Sequence, residues 1–218
     1  MEKLIALKKE IGNDVVVWST GAVKIDKNTA ISVPINYRVV ALIDGKIAFR
    51  VDPCSEVNII KEFGKELLKK QIEFIYVLSS AIPMMSWGFG NINVKNDRLK
   101  EAYRVGANGK YSIEIVDIPK LIKNFAGKAE ITIDDIREKT VTIIKANGTQ
   151  VVSKYFANTT TSVFEIDSKI GEIRVDIKEA LVDELLFKNF GLKMTDLIVE
   201  GIHVNEDDLQ VIRDRLNG

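Results

Sequence analysis

The chain has 218 residues, 46% of them apolar and 28% charged, which is enough for a sizeable core in a globular protein. Lysine plus arginine equals aspartate plus glutamate at 31 each, which excludes a globally basic nucleic-acid binder. Cys54 is the only cysteine, so an intramolecular disulfide and a thiolate zinc cluster are excluded, and no window approaches the roughly 20 uninterrupted apolar residues of a spanning helix.

In chain order, Leu4, Ile5, Ala6 and Ile11 suggest a short amphipathic helix stopped by Gly12-Asn13. Charges interrupt its apolar run, unlike a secretory signal, and with Cys54 alone the expected compartment is a reducing one, the cytoplasm. Val15 to Trp18, Thr29 to Val33, Tyr37 to Ile43 and Lys46 to Val51 are β-branched or alternating and predict the strands of a small meander. Asp44-Gly45 is a two-residue hairpin signal, since a type I′ turn needs positive φ at both positions. Residues 55 to 71 change to helical period, with Ile60, Phe63 and Leu67 on one stripe and Ser55 as a cap. Phe74 to Leu78 returns to strand composition.

From Leu99 to Ile115 the apolar residues take odd positions, so one face is buried and the other wet. Asn108-Gly109 is compatible with a hairpin turn there, and equally with a bend in one long strand. Lys120 to Phe125 predicts a short helix. Thr132, with Asp135 three residues on, has the spacing of a capping box for a helix to Lys145, broken or kinked at Asn147-Gly148 and resuming at Val151. After a threonine connection at 159–161, a last long helix spans Ser168 to Asn189, with Gly191 as its left-handed cap. Leu192 to Val204 is apolar at both parities and predicts a strand covered on both sides. Asn205 then caps an acidic helix start, and Leu209, Ile212 and Leu216 recur at three and four like a coiled-coil seam.

Few residues carry chemistry. Gly88-Phe89-Gly90 lacks the third glycine of a dinucleotide fingerprint, because Asn93 occupies that slot and an alternating stretch follows; a turn between two strands is the better reading. His203 is the only histidine and has no serine or cysteine nucleophile beside it. Asp134/Asp135 reads as a helix first turn, and Cys54 as an unreactive thiol. No metal or cofactor site assembles. Met84, Met85, Trp87 and Phe89 form an unusually apolar segment, either a partner or membrane patch or part of the core. Lysines 61, 65, 69 and 70 offer contact with acidic lipid, against which stand the interleaved Glu62, Glu66 and Glu73.

The ordered set of elements resembles the SPFH superfamily of stomatin, prohibitin, flotillin and relatives. The carrying residues are Tyr111-Ser-Ile-Glu-Ile-Val-Asp-Ile-Pro-Lys120, similar to the family's strand and Asp-Pro-type corner, with Ile118 inserted between the Asp and Pro that many members keep adjacent. They continue in Asn189-Phe-Gly-Leu-Lys-Met-Thr-Asp-Leu-Ile-Val-Glu-Gly-Ile-His-Val204 and the acidic entry to Leu209–Leu216. More narrowly, the Val16-Val17-Trp18 strand, the Ala41–Lys46 hairpin and Trp87-Gly88 resemble the soluble bacterial virion-core-protein-like branch.

The resemblance implies an α/β (α+β) fold. Its SPFH-like domain covers 1–205, β-rich over about 12–110 and α/β over about 111–205, with a C-terminal helix projecting from 206. It further implies a scaffold without catalytic residues or cofactors that forms homo-oligomers and organises protein partners. Such a scaffold works in the cytoplasm, with peripheral contact at the inner face of the membrane. Leu209, Ile212 and Leu216 are the expected oligomer seam; packing back on their own domain is the competing reading. The rival functions are a lipid-headgroup module and an enzyme whose site lies at Asp134/Asp135 or Gly88 to Gly90.

Overall fold

A computed structural model describes residues 3–6, 12, 14–125, 128–181 and 188–217. Two compact units share the chain: Met1–Ile82 with Glu114–Ile136, and Pro83–Ile113 with Arg137–Gly218. The division expected at residue 110 therefore falls inside a strand whose two ends belong to different units.

In the first unit, β1 (Lys3–Ala6), β3 (Thr29–Val33) and β6 (Ser55–Asn58) make a sheet in the order β1-β3-β6. β2 (Val15–Lys24), β4 (Tyr37–Ile43), β5 (Lys46–Val51), β7 (Gln71–Leu78) and β10 (Glu130–Thr132) make another, ordered β10-β2-β7-β4-β5. Asp44 (φ 50°) and Gly45 (φ 74°) form the left-handed turn of the β4–β5 hairpin, as expected. The arrangement is not a simple meander, because β7 inserts between β2 and β4. Phe74 and Tyr76 of β7 are fully buried in the common core with Trp18, Ile31 and Val39. The Tyr76 hydroxyl donates to the Ser32 and Ile5 carbonyls, at 3.0 and 3.2 Å.

Two expected helices are corrected here. Leu4–Ala6 lies in β1, parallel to β3, because Ile5 has a core to enter beside Ile31; Ile11 lies outside the described residues. Within 55–71 only α1 (Ile59–Phe63) is α-helical. Asn58, not Ser55, accepts from the Lys61 N–H to cap it, while Ser55–Asn58 pairs with β3. Gly64 at φ 109° stops the helix, and a 3-10 turn follows at Lys65–Leu67. Helical period alone missed the sheet edge that recruits 55–58.

α2 (Ile118–Asn124) is capped by Asp117, whose side chain accepts from the Lys120 N–H. The Thr132/Asp135 capping box is present reciprocally: each backbone N–H donates to the other side chain, at 3.1 and 3.2 Å. Lys128 also bonds the Asp135 carboxylate. α3 then runs unbroken over Ile133–Asn158, which corrects the expected break at Asn147-Gly148.

The second unit is built on β8 (Ile82–Asn96), β9 (Glu101–Ile115) and β11 (Leu192–Val204), ordered β11-β9-β8, with most of α3, α4 (Ile166–Leu181) and α5 (Glu206–Asn217). β9 is one continuous strand with every odd position buried, so Asn108-Gly109 is no hairpin. β8 is also continuous, which overturns the turn expected at Gly88–Gly90. Met85, Trp87 and Phe89 are buried at odd positions; Gly90 and Asn91 are both exposed, and burial resumes at Ile92, Val94 and Asn96. That change of parity, with Asn91 at φ 57°, is a bulge that absorbs one residue. β11 changes parity twice, at Asp196 and Gly201. Its apolar residues at both parities therefore enter one core, and the strand is half-buried instead of covered on both sides. The helix expected to start at Ser168 begins at Ile166; residues 182–187 lie outside the described set, and Gly191 has the φ of 71° that suits a left-handed cap.

Candidate functional site

Gly88–Gly90, His203 and the expected seam residues lie in the second unit, on its sheet and on α5, whereas Cys54, Asp134/Asp135 and the lysines of 61–70 lie in the first. α5 opens as expected: the Asn205 side chain accepts from the Asp208 N–H at 3.2 Å, and Glu206, Asp207 and Asp208 occupy the first turn. It is then clasped to β9. Arg104 Nε and Nη2 donate to the two carboxylate oxygens of Asp208, both at 2.9 Å, and the Arg104 backbone N–H adds a third bond at 2.8 Å. Nη2 also reaches Asn205 Oδ1 at 2.9 Å. At the helix end Arg215 donates to the Lys100 carbonyl at 3.0 Å, and Arg213 lies 5.5 Å from the Phe164 ring centroid. Sequence reading missed this clasp. Arg104 looked like any wet-face residue of an alternating strand, and its partner lies 104 residues away.

The expected seam residues separate by burial. Ile212 is 3% exposed and inserts into its own unit, as the competing reading held. Leu209 is half-buried. Leu216 stays exposed at 68%, and so does Val211, which lay outside the expected seam, at 57%. The apolar segment in β8 separates likewise: Met85, Trp87 and Phe89 face the core, and only Met84 is exposed. Trp87 and Phe89 stack obliquely at 5.5 Å, and Gly148 of α3 leaves room for the Phe89 ring. The aromatics therefore do not form the partner or membrane patch considered above.

A shallow groove of about 300 Å³ crosses the open face of this sheet over Gly88, Gly90 and Gly106. Its ionisable side chains are engaged within the chain: His203 Nε2 and Asn108 Oδ1 hydrogen-bond at 2.9 Å, and Arg104 is held by Asp208. A wider cleft of about 790 Å³ lies between α3 and α4, lined by Tyr155, Thr159–Thr161 and charges of both signs, of which Lys169 and Glu172 pair at 2.7 Å. Asp134 and Asp135 sit in the first turn of α3, Asp135 bound to Thr132 and Lys128. Cys54 is a free, exposed thiol. Among the described residues no group of three His, Cys, Asp or Glu side chains could hold a metal ion, and no helix is long and apolar enough to cross a membrane.

Two carboxyl groups at the clasp titrate abnormally in opposite directions. The Arg104 guanidinium, assisted by the Arg104 backbone N–H, holds Asp208 below its ordinary value of 3.8. Burial pushes Glu101 above 4.5, only partly countered by Arg215 and the Val163 N–H. The depressed Asp208 contributes fully above about pH 4 and loses its contribution as pH falls through its folded value. The raised Glu101 contributes fully below about pH 4.5 and loses its contribution as pH rises through its folded value. Protection of the α5 amides from hydrogen exchange is therefore expected to be greatest near pH 4–5 and to fall on further acidification. Asp208→Asn should remove the acid-side fall; an unchanged profile in that variant would show that Asp208 does not set it.

These elements carry a family assignment. Residues 66–216, from the 3-10 turn of the first unit to the last turn of α5, match the family model described as SPFH domain-Band 7 family. The match covers more than half of the chain, which belongs to that family, one of membrane-associated scaffolds that are in general not enzymes. No curated protein matches the chain.

Proposed function

We propose that the protein is a non-enzymatic scaffold of the soluble virion-core-protein-like branch, which self-associates and organises partner proteins at the cytoplasmic face of a membrane. The observation that carries this reading is the family match over β7 to α5. The engaged state of the groove's polar groups agrees with it: Arg104 and His203, the ionisable side chains around the glycine floor, are bonded within the chain. The self-association contact uses the exposed apolar side chains of α5 that flank the buried anchor Ile212, Leu216 with half-exposed Leu209 on one flank and Val211 on the other.

Light scattering on the wild type and on Val211→Asp/Leu216→Asp tests this. Both positions are exposed, so the double variant should fold normally. An oligomer in the wild type and a smaller species in the variant is the expected result. A monomer in both would remove self-association, and the same oligomer in both would move the contact away from α5.

A further inference from the structure

The first unit gathers lysines that are far apart in sequence. Ile25 N–H donates to the Lys70 carbonyl and Lys69 N–H to the Ile25 carbonyl, both at 2.9 Å, which sets the turn after β2 beside the turn before β7. Asn58 ties in the third segment: its side-chain amide donates to the Lys27 carbonyl at 3.2 Å while its oxygen caps α1 at the Lys61 N–H. Lys24, Lys27, Lys61, Lys65, Lys69 and Lys70 are all exposed on these segments. The carboxylates there are Asp26, Glu62 and Glu66, so a chain with zero total charge carries a local excess of cations. Glu73, next along β7, is engaged by the Ser19 hydroxyl.

Leu68 stands among these lysines with 43% of its surface exposed, immediately after the buried Leu67. Lys69 takes φ 66°, a left-handed conformation rare for a lysine, so the Lys65–Lys70 turn is tightly folded with its apolar residue outward. An aliphatic side chain ringed by long cationic side chains fits the headgroup boundary of an anionic bilayer. The leucine enters the acyl edge, and the lysine stems extend their ammonium groups to the phosphates. A nucleic acid is the poorer fit, because aromatic or arginine planes stack on bases and no such side chain stands at the tip of this turn.

From this arrangement we infer that the Lys65–Lys70 turn, with Lys24 and Lys27 beside it, is the surface by which the protein meets anionic membranes. The inference rests on the membrane-associated scaffold reading and names the face that it uses.

The full-length chain should co-sediment with phosphatidylserine-rich vesicles at low salt, weakly or not at all with pure phosphatidylcholine, and much less at high salt. Lys65→Glu/Lys69→Glu/Lys70→Glu should lower the affinity more than about tenfold, since three attractive charges at the anionic surface become repulsive. Leu68→Asp should weaken binding as well. A matched reversal at Lys95, Lys145 and Lys154 of the second unit should leave most of the binding intact.

Three results would each overturn the proposal: no wild-type binding, undiminished binding by the first triple variant, or an equal loss in the matched control. Equally tight binding to single-stranded nucleic acid that Leu68→Asp leaves unchanged would also overturn it, by assigning the patch to a polyanion. Light scattering on the same variants keeps the two readings apart. A wild type that assembles but does not bind the vesicles sinks only this surface, whereas a wild type that binds them as a monomer sinks only the self-association.

Discussion

Gly109→Ala is expected to cost more than about 3 kcal/mol and to lower Tm by roughly 6–12 °C, or to prevent folding altogether. A Cβ on Gly109 would lie 1.9 Å from the Ile198 carbonyl oxygen, 2.9 Å from its carbon and 3.0 Å from Trp87 Cζ2. Two of those atoms are backbone of β11, the strand hydrogen-bonded beside β9, so no side-chain rotation relieves the clash. The third belongs to a tryptophan that is 4% exposed and has nowhere to go. The paired control is Gly90→Ala. A Cβ there meets nothing within 4 Å, and its backbone is outside the left-handed region. That variant should fall within about 0.5 kcal/mol of the wild type or be slightly more stable. Thermal and urea unfolding of both variants decide the matter. A Gly109→Ala protein as stable as Gly90→Ala would mean that β9 and β11 do not approach at Gly109 as described.

This contrast also marks how much was legible in the sequence. Signals carried by neighbouring residues came through well. The Asp44-Gly45 turn, the Thr132/Asp135 box, the Asn205 cap and the odd-position burial of β9 each depend on contacts within a few residues. The strands β3, β4 and β5 have the limits that alternation set for them. Glycines were misread because the sequence does not say what lies opposite them. Gly148 reads as a helix breaker, yet it clears the Phe89 ring and lets α3 run on. Gly88-Phe89-Gly90 reads as a turn, yet the bulge at Gly90-Asn91 keeps the strand intact while shifting its parity. Bulges also explain why β11 seemed apolar on both sides: parity counting assumes an unbroken pleat, and Asp196 and Gly201 interrupt it. Among the candidate site residues, spacing placed Leu209, Ile212 and Leu216 on a helix correctly. It left open which of them faces inward, because the decisive clasp depends on Arg104.

Ile212→Ala should loosen α5 strongly while leaving the rest of the fold in place. Ile212 is the buried apolar anchor of the helix, and truncating such a side chain costs about 2–4 kcal/mol. A twelve-residue helix is marginal on its own in water, so α5 depends on this packing and on the clasp at its start. The loss should appear as local opening: amides of the last two turns should exchange roughly 100-fold faster, with β9 and β11 amides little affected. Leu216→Ala removes a side chain that is 68% exposed and should leave the exchange rates within about twofold of the wild type. The two substitutions separate anchoring from association on one helix. If Leu216 belongs to the contact between copies, Leu216→Ala weakens the oligomer without loosening α5, whereas Ile212→Ala loosens α5 first and lowers the oligomer mass as a consequence. Equal exchange in wild type and Ile212→Ala would mean that the Arg104–Asp208 clasp holds α5 by itself, and the apolar anchor would then be superfluous.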